Sequence, residues 1–396
     1  MADIEFALVL NLHQPPGNLE QMLDQEDWQA KEILWAIDRI PRSLWKYEDL
    51  GRVHLSLSGT LLETLANPDF QRRVYGIVDC GSLLWYLQNT RVIEVLGTGY
   101  YHPVLPLIPA SDREEHLDRW QTLAGHLFAR DHFSGFWPPE LGFSMDLVPA
   151  VCRHRYRYVI VDSEHVSALT PMAWEELRYR PHLAQFGGEQ IVVVVRDRDL
   201  SNAQESGMDT DWFITEVKAR TQYCNFPPLV TTATDGENGG WFRNTTPGSN
   251  FWSGFHADLM EKVRAGRAGG IRPTFISDYL ERHGPHGWVT VEPGAWNTGW
   301  HHGTGFGQWT GSLAQQHALT RVAELSQAVH AARRNAIAIG AANPKLYRHL
   351  EDALAMVLRA ETSCNFFWGE AWVQRCHDDL DDATRHLEQA GNLFSR

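Results

Sequence analysis

Long apolar runs are missing from this 396-residue chain. The longest of them, such as residues 191–195, are far too short to span a bilayer, so a helical membrane protein is excluded. An excess of basic residues is missing too. Against 49 Asp and Glu there are 35 Lys and Arg, a formal net charge of −14, which argues against a nucleic-acid partner or an anionic membrane surface. Cysteine is scarce: Cys80, Cys152, Cys224, Cys364 and Cys376 are odd in number, scattered, and never spaced Cys-x-x-Cys. Neither a disulfide framework nor a cysteine metal site is expected from them. The opening Met-Ala-Asp-Ile-Glu-Phe lacks a basic stretch followed by an apolar one, so no signal peptide is expected and a reducing cytoplasm is the expected compartment. No internal repeat or low-complexity segment stands out. Tryptophan, by contrast, is abundant at sixteen residues. Indole faces stack on the apolar faces of sugar rings and also fill cores, so position has to decide between the two uses.

Short apolar runs recur through the first three quarters of the chain, at 6–10, 53–57, 92–96, 133–137, 158–161, 191–195, 229–232 and 288–291. Most are continuous rather than alternating, the pattern of parallel strands covered on both faces. Helix-like segments lie between them, for example 27–47, 112–130 and 211–220. Strand and helix in alternation over this length predict an α/β fold, with a TIM-like barrel of seven or eight units ahead of an open doubly wound sheet. From about residue 311 the pattern changes to amphipathic helices (311–334, 347–360, 371–390) without strands. The expected organisation is a barrel over 1–310 and a C-terminal helical domain over 311–396 that completes the cleft. The segment 292–310, with Trp296, Trp300, Trp309 and His301-His302, is too aromatic for a solvated linker.

In a barrel, reactive side chains sit just past the C-terminal ends of the strands, where the loops share one mouth. Polar residues fall at most of those places: Asn11-Leu12-His13-Gln14-Pro15 after the first run, and Glu94 with Gly97–Pro103 (including His102) at the third. Glu140 follows the fourth, Asp162 and Glu164 the fifth, and Asp235-Gly236-Glu237 a later one. Taken singly each has an ordinary reading. His13 and His102 suit loop or packing roles, Glu94 a structural ion pair, Asp235-Gly236 a turn, and the 296–309 tryptophans a wedge between domains. Glu140 is the hardest to read that way. In Gly135-Phe-Trp-Pro-Pro-Glu140, two prolines fix φ on the approach to a single acid. Carboxylates at the ends of two separate strands suggest cleavage of a glycosidic bond, which commonly uses such a pair.

The ordered set His13-Gln14-Pro15, Glu94 with 97–103, 135–140, 235–237 and 364–369 resembles glycoside hydrolase family 57. That family includes α-amylases, 4-α-glucanotransferases, branching enzymes and α-galactosidases. The resemblance runs from about residue 8 to about residue 370. It implies an incomplete (β/α)7 barrel with a following helical domain, and a retaining double displacement on α-glucans that needs neither metal nor organic cofactor. By its motifs the nucleophile falls on Glu140 and the acid/base on Asp235. His13, Glu94 and Glu237 fall on positions lining the cleavage subsite, and Trp368 on an aromatic of the last motif. His102 is expected to bond sugar hydroxyls with His13, and Trp137, Trp296 and Trp300 to serve as stacking platforms. Two departures stand out. Asn11 replaces a second histidine found in many members, and Asn365 is expected to take the place of an aspartate in the last motif.

Two other classes compete with this reading. A metal-dependent polysaccharide deacetylase would want two histidines and an aspartate on one ion, for which His13, His301, His302 and Asp235 are the candidates. The His-x-x-x-His spacing of that class is missing. A catalytically silent carbohydrate-binding protein is the other, since stacking aromatics alone suffice to bind sugar.

Overall fold

A computed structural model describes residues 3–25, 27–299 and 305–394. Its strands are β1 (Ile4–Leu12), β2 (Val53–Leu57), β3 (Ile93–Leu96), β4 (Gly135–Phe136), β5 (Tyr158–Asp162), β6 (Val166–Ala168), β7 (His182–Phe186), β8 (Glu189–Arg196), β9 (Leu229–Asp235), β10 (Ile271–Pro273) and β11 (Val289–Val291). Seven of these, β1 to β5 with β8 and β9, are parallel and follow the ring in chain order. The ring nearly closes between β3 and β4, where Gly97 N donates to Gly135 O at 2.9 Å and Trp137 N to Gly97 O at 2.8 Å. A Cβ on Gly97 would lie 2.1 Å from the Tyr156 hydroxyl, and one on Gly135 2.2 Å from the Tyr158 ring. Only glycine lets the two strands meet under those rings. The other weak seam is β8–β9, which share the single register pair Arg196–Thr231.

Inward side chains of the ring, among them Val9, Leu96, Trp137, Tyr158, Ile160, Val194 and Ala233, pack on Ile276, Tyr279 and Leu280 of the helix Ile276–His283. That helix follows β10, which pairs with the N-terminal end of β1, so it closes the barrel floor.

The run at 288–291 was expected among the barrel strands. Instead β11 pairs antiparallel with β6 in a separate two-stranded sheet at the rim. The three-residue strand takes its partner from the loop after β5 and not from a barrel neighbour. Regular pairing in the 133–137 run is confined to Gly135–Phe136. An unexpected hairpin, β7–β8, turns on Gly187 and Gly188, whose φ values of 61° and 87° are those a two-residue hairpin turn demands.

Three long helices follow: Leu313–Ala338, Pro344–Ala360 and Glu370–Phe394. Ser312 and Gln315 form a reciprocal cap on the first, while Asn343 caps the second just before Pro344. Their apolar faces share one core with Tyr101, Val104, Ala295 and Trp309, which belong to the loops over the barrel mouth. Trp309 is therefore a wedge between the two regions. No helix among the described residues is long and apolar enough to cross a membrane.

Candidate active site

A cavity of about 770 Å³ opens at the C-terminal ends of the barrel strands. Register places Asn11 of β1 directly opposite Asp235, the last residue of β9. Asn11 Nδ2 donates to Asp235 Oδ1 at 3.0 Å, and Asn238 Nδ2 to Asp235 Oδ2 at 3.2 Å. On the other wall Glu140 sits in a tight turn after β4, at φ 59°, with Leu141 next to it at φ 49°. Left-handed backbone on two consecutive non-glycine residues costs on the order of 1–3 kcal/mol each and is found where a side chain must be aimed. Pro138 and Pro139 hold the turn, and Trp296 N closes on Glu140 O at 3.1 Å. Both carboxylate oxygens of Glu140 meet donors: Ser363 Oγ at 2.8 Å on Oε1 and Trp296 Nε1 at 3.0 Å on Oε2.

One hydrogen-bonded path joins the two acids. The Asn11 amide has two hydrogens; one goes to Asp235, and the other faces His102 Nε2 at 3.4 Å. Nε2 must then accept, which leaves the ring hydrogen on His102 Nδ1, 3.2 Å from Ser363 Oγ. Ser363 in turn donates to Glu140. Each donor and acceptor in this sequence has one consistent direction. His102 is itself left-handed at φ 58° and stacks face to face on His13, ring centroids 4.0 Å apart. Burial keeps both imidazoles neutral: His102 is lowered to about 3, and His13 is held well below its usual range with further help from His102.

Burial acts on the acids in the opposite sense. It raises Glu140 to about 7, reinforced by the charge of Asp235 and opposed by the Ser363 and Trp296 hydrogen bonds. It raises Asp235 to about 6, where the Asn11 bond opposes it and the charge of Glu205 adds to it. Trp296, which contacts Glu140, is held from behind. Asp162 accepts from Arg196 Nη1 and Arg198 Nε, each at 2.7 Å, and Arg198 reaches the carbonyls of Ala295 and Thr298. Trp137 meets the edge of Trp296 with centroids 5.7 Å apart.

Glu140, Asp235, His13, His102, Trp296 and Trp368 all line the cavity. Four expected residues do not. Glu94 lies inside the lower barrel, in register with His54 and bonded to the Tyr158 hydroxyl at 2.6 Å and to Ser277 of the floor helix. It points inward, yet a full layer below the mouth. Trp137 is wholly buried and packs beneath the cavity as barrel core. Glu237 is buried behind the first loop, where Oε1 accepts from the backbone N of His13 at 2.7 Å. Burial, with the charge of Glu205, raises Asp235, while Glu237 is itself pushed far up by burial and by Asp235. Asn365 is buried and bonds Ala360 O at the end of a helix, and the neighbouring Cys364 takes the cavity position, with Sγ 3.6 Å from His13 Nε2. Trp300, His301 and His302 lie outside the described residues.

Two residues were not singled out. Trp372 lines the cavity beside the exposed Trp368 at the rim, and the buried Ser363 supplies a contact to Glu140 from behind. Nothing in the local sequence marks Ser363. It reaches Glu140 only because the helices fold back over the barrel.

A seven-stranded parallel barrel with a buried and a partly buried carboxyl at its mouth, roofed by helices, defines a (β/α)7-barrel protein with a two-acid cleft. The model of glycosyl hydrolase family 57 matches residues 18–292, and the chain belongs to that family. It is 28% identical over 204 residues to an α-amylase from Pyrococcus horikoshii, a match covering 50% of this chain and 29% of that protein. It is 26% identical over 203 residues to a 4-α-glucanotransferase from Thermococcus litoralis, covering 50% and 28%. These matches thus take in less than a third of the length of either relative. In fold, the chain resembles an exo-type maltose-forming amylase from Pyrococcus sp. ST04, at TM-score 0.74 and 13% identity over 99% of this chain and 81% of that one. It also resembles a family 57 branching enzyme from Pyrococcus horikoshii, at TM-score 0.72 and 14% identity over 98% and 88%.

Proposed function

We propose that this protein is a retaining glycoside hydrolase or transglycosylase acting on α-glucans, with Glu140 as nucleophile and Asp235 as acid/base. The observation that carries it is the joining of two carboxyls with raised pKa values across one cavity through Asn11, His102 and Ser363. In the first step a Glu140 oxygen bonds the anomeric carbon while the bond to the glycosidic oxygen breaks and Asp235 gives that oxygen its proton. In the second, Asp235 takes a proton from water or from a sugar hydroxyl, which displaces Glu140 and restores the starting configuration. Glu140 meets two fixed donors, which favours its charged form against burial, while Asp235 opens partly to the cavity, where a leaving oxygen would lie. His13 Nδ1 and Asn11 Oδ1 are buried without a protein partner, so both are available to sugar hydroxyls. Trp296, Trp368 and Trp372 offer ring faces. The substrate class rests on the amylase and glucanotransferase names of the relatives.

On this reading residues 311–396 complete the cleft by delivering Ser363, Cys364 and Trp368. The five free thiols suit a reducing compartment, and the proposed location is the cytoplasm.

The test is incubation with maltoheptaose, amylose and an aryl α-galactoside, followed by chromatography. Shorter products alone mean hydrolysis, and a ladder running above and below maltoheptaose means transfer. No product from any of the three would leave a sugar-binding protein. A second expectation concerns Ser363. Its hydrogen bond opposes the rise of Glu140, so Ser363→Ala should move the acid limb of kcat/KM to higher pH with the fold intact. An unchanged limb would remove Ser363 from the machinery.

A further inference from the structure

Far from the cleft, the two helices Pro344–Ala360 and Glu370–Phe394 bring three side chains to one point. His349 and Asp352 are neighbours on a face of the first, one turn apart, and His386 faces them from the second. His349 Nδ1 and His386 Nδ1 are 3.4 Å apart, and Asp352 Oδ2 lies 3.7 Å from His386 Nδ1. One ligand atom from each falls within 4.8 Å of the others. Among the described residues this is the set of three histidine, cysteine or carboxylate side chains that converges in this way.

We propose that His349, Asp352 and His386 form a binding site for a divalent transition-metal ion, with zinc the best fit, that pins the two C-terminal helices together. The spacing supports this. With metal–nitrogen distances of about 2.0–2.1 Å, two ligands of a tetrahedral ion stand roughly 3.3–3.4 Å apart, the separation the two imidazole nitrogens already have. The donor set supports it as well: two imidazoles and one carboxylate suit zinc, copper or nickel, whereas calcium and magnesium call for six or more oxygens. A metal ion between the two facing nitrogens would take a lone pair from each. All three groups are partly exposed, so the ion has an entry path and solvent can fill the fourth position.

The two helices already pack on each other near the site through a buried cluster that includes Leu346, Leu350 and Ala390. Along the helices the site lies about 16 Å from Ala360 and about 20 Å from Trp372, the residues nearest the cleft. It therefore belongs to the helical region, and the metal should change stability and leave turnover alone. This inference does not depend on the proposed reaction.

The experiment is calorimetric titration of Zn²⁺ into chelator-treated full-length protein, with thermal unfolding followed in parallel. The expected result is one equivalent bound and a rise in Tm that saturates with it, both lost in His349→Ala and in His386→Ala and weakened in Asp352→Asn. Each variant should keep the wild-type circular dichroism and kcat, which separates loss of the site from loss of the fold. Co²⁺ in place of Zn²⁺ should give the absorption of a four-coordinate ion in the wild type and in neither alanine variant. No bound equivalent, or the same equivalent in both alanine variants, would overturn the proposal.

Discussion

Replacing Glu140 by alanine should lower kcat on maltooligosaccharides by on the order of 10⁴–10⁶, and azide should restore part of the turnover of an activated aryl α-glucoside with inverted configuration. The geometry explains both halves. Alanine removes the oxygen that would bond the anomeric carbon, so no glycosyl-enzyme forms. It leaves the Ser363 hydroxyl and the Trp296 N–H, which meet the two Glu140 oxygens at 2.8 and 3.0 Å, pointing at the space vacated. Those two donors suit a small anion. Azide held there attacks the anomeric carbon from the face Glu140 would have used, the aryloxide leaves from the other, and one displacement inverts the centre. The backbone should tolerate the change, since alanine at φ 59° pays much the same strain as glutamate. A rescued product of retained configuration would instead make Glu140 the acid/base.

That alternative has a physical basis in the site itself. Burial makes Glu140, at about 7, the weaker acid of the two, with Asp235 at about 6. Burial by itself would leave the last proton on Glu140, the reverse of what the assigned roles need. Hydrogen bonding does not reverse this order, because Glu140 meets Ser363 and Trp296 while Asp235 meets Asn11 and Asn238, two donors each. Because each carboxyl feels its neighbour's charge, the two titrate as a pair, and the pair is singly protonated between about pH 6 and 7. A leaving oxygen beside Asp235 and a developing positive charge beside Glu140 draw the shared proton to Asp235.

The barrel was legible because its strands are continuous apolar runs and its catalytic candidates follow strand ends, a local pattern that one sequence displays. Glu140 stood out through its prolines and Asp235 through its place after β9. What the sequence did not display was depth. Glu94 and Asp235 are both inward acids on barrel strands, and only the register, with Glu94 level with His54 and Asp235 level with Asn11, puts one below the mouth and the other at it. Glu237 follows Asp235 by two residues, yet its side chain turns to the His13 backbone because the chain has already left the strand. The same limit applies to Asn365 and Cys364. Adjacent residues on a short helix face about 100° apart, so one caps a helix end while the other reaches the cavity. Contacts made by the C-terminal helices over the barrel, Ser363 above all, depend on a docking that no local motif encodes.

Asp235→Ala should produce the complementary set of effects, and its pH dependence has a definite sign. If Asp235 protonates the leaving oxygen, its loss should slow cleavage of natural glucans by roughly 10²–10⁴, while an aryl glycoside with a good leaving group keeps most of its first-step rate. Such a leaving group departs as an anion and needs no proton. The glycosyl-enzyme then accumulates, since no base activates water, and azide releases it as a product of retained configuration after two displacements. In the wild type, activity requires one proton on the pair, so it should fall below about pH 6, where both acids are protonated, and above about pH 7, where neither is. Removing Asp235 takes away the acid whose ionisation sets the upper limb, so that limb should vanish for the activated substrate. At the lower limb Asp235 is already protonated and carries no charge, so its loss should leave that limb near its wild-type position. Ser363→Ala removes a hydrogen bond that lowers Glu140 and should move the lower limb to higher pH. The two variants therefore act on separate limbs of one profile. If Asp235→Ala kept the upper limb, or Ser363→Ala left the lower one in place, the division of roles between the two acids would have to be redrawn.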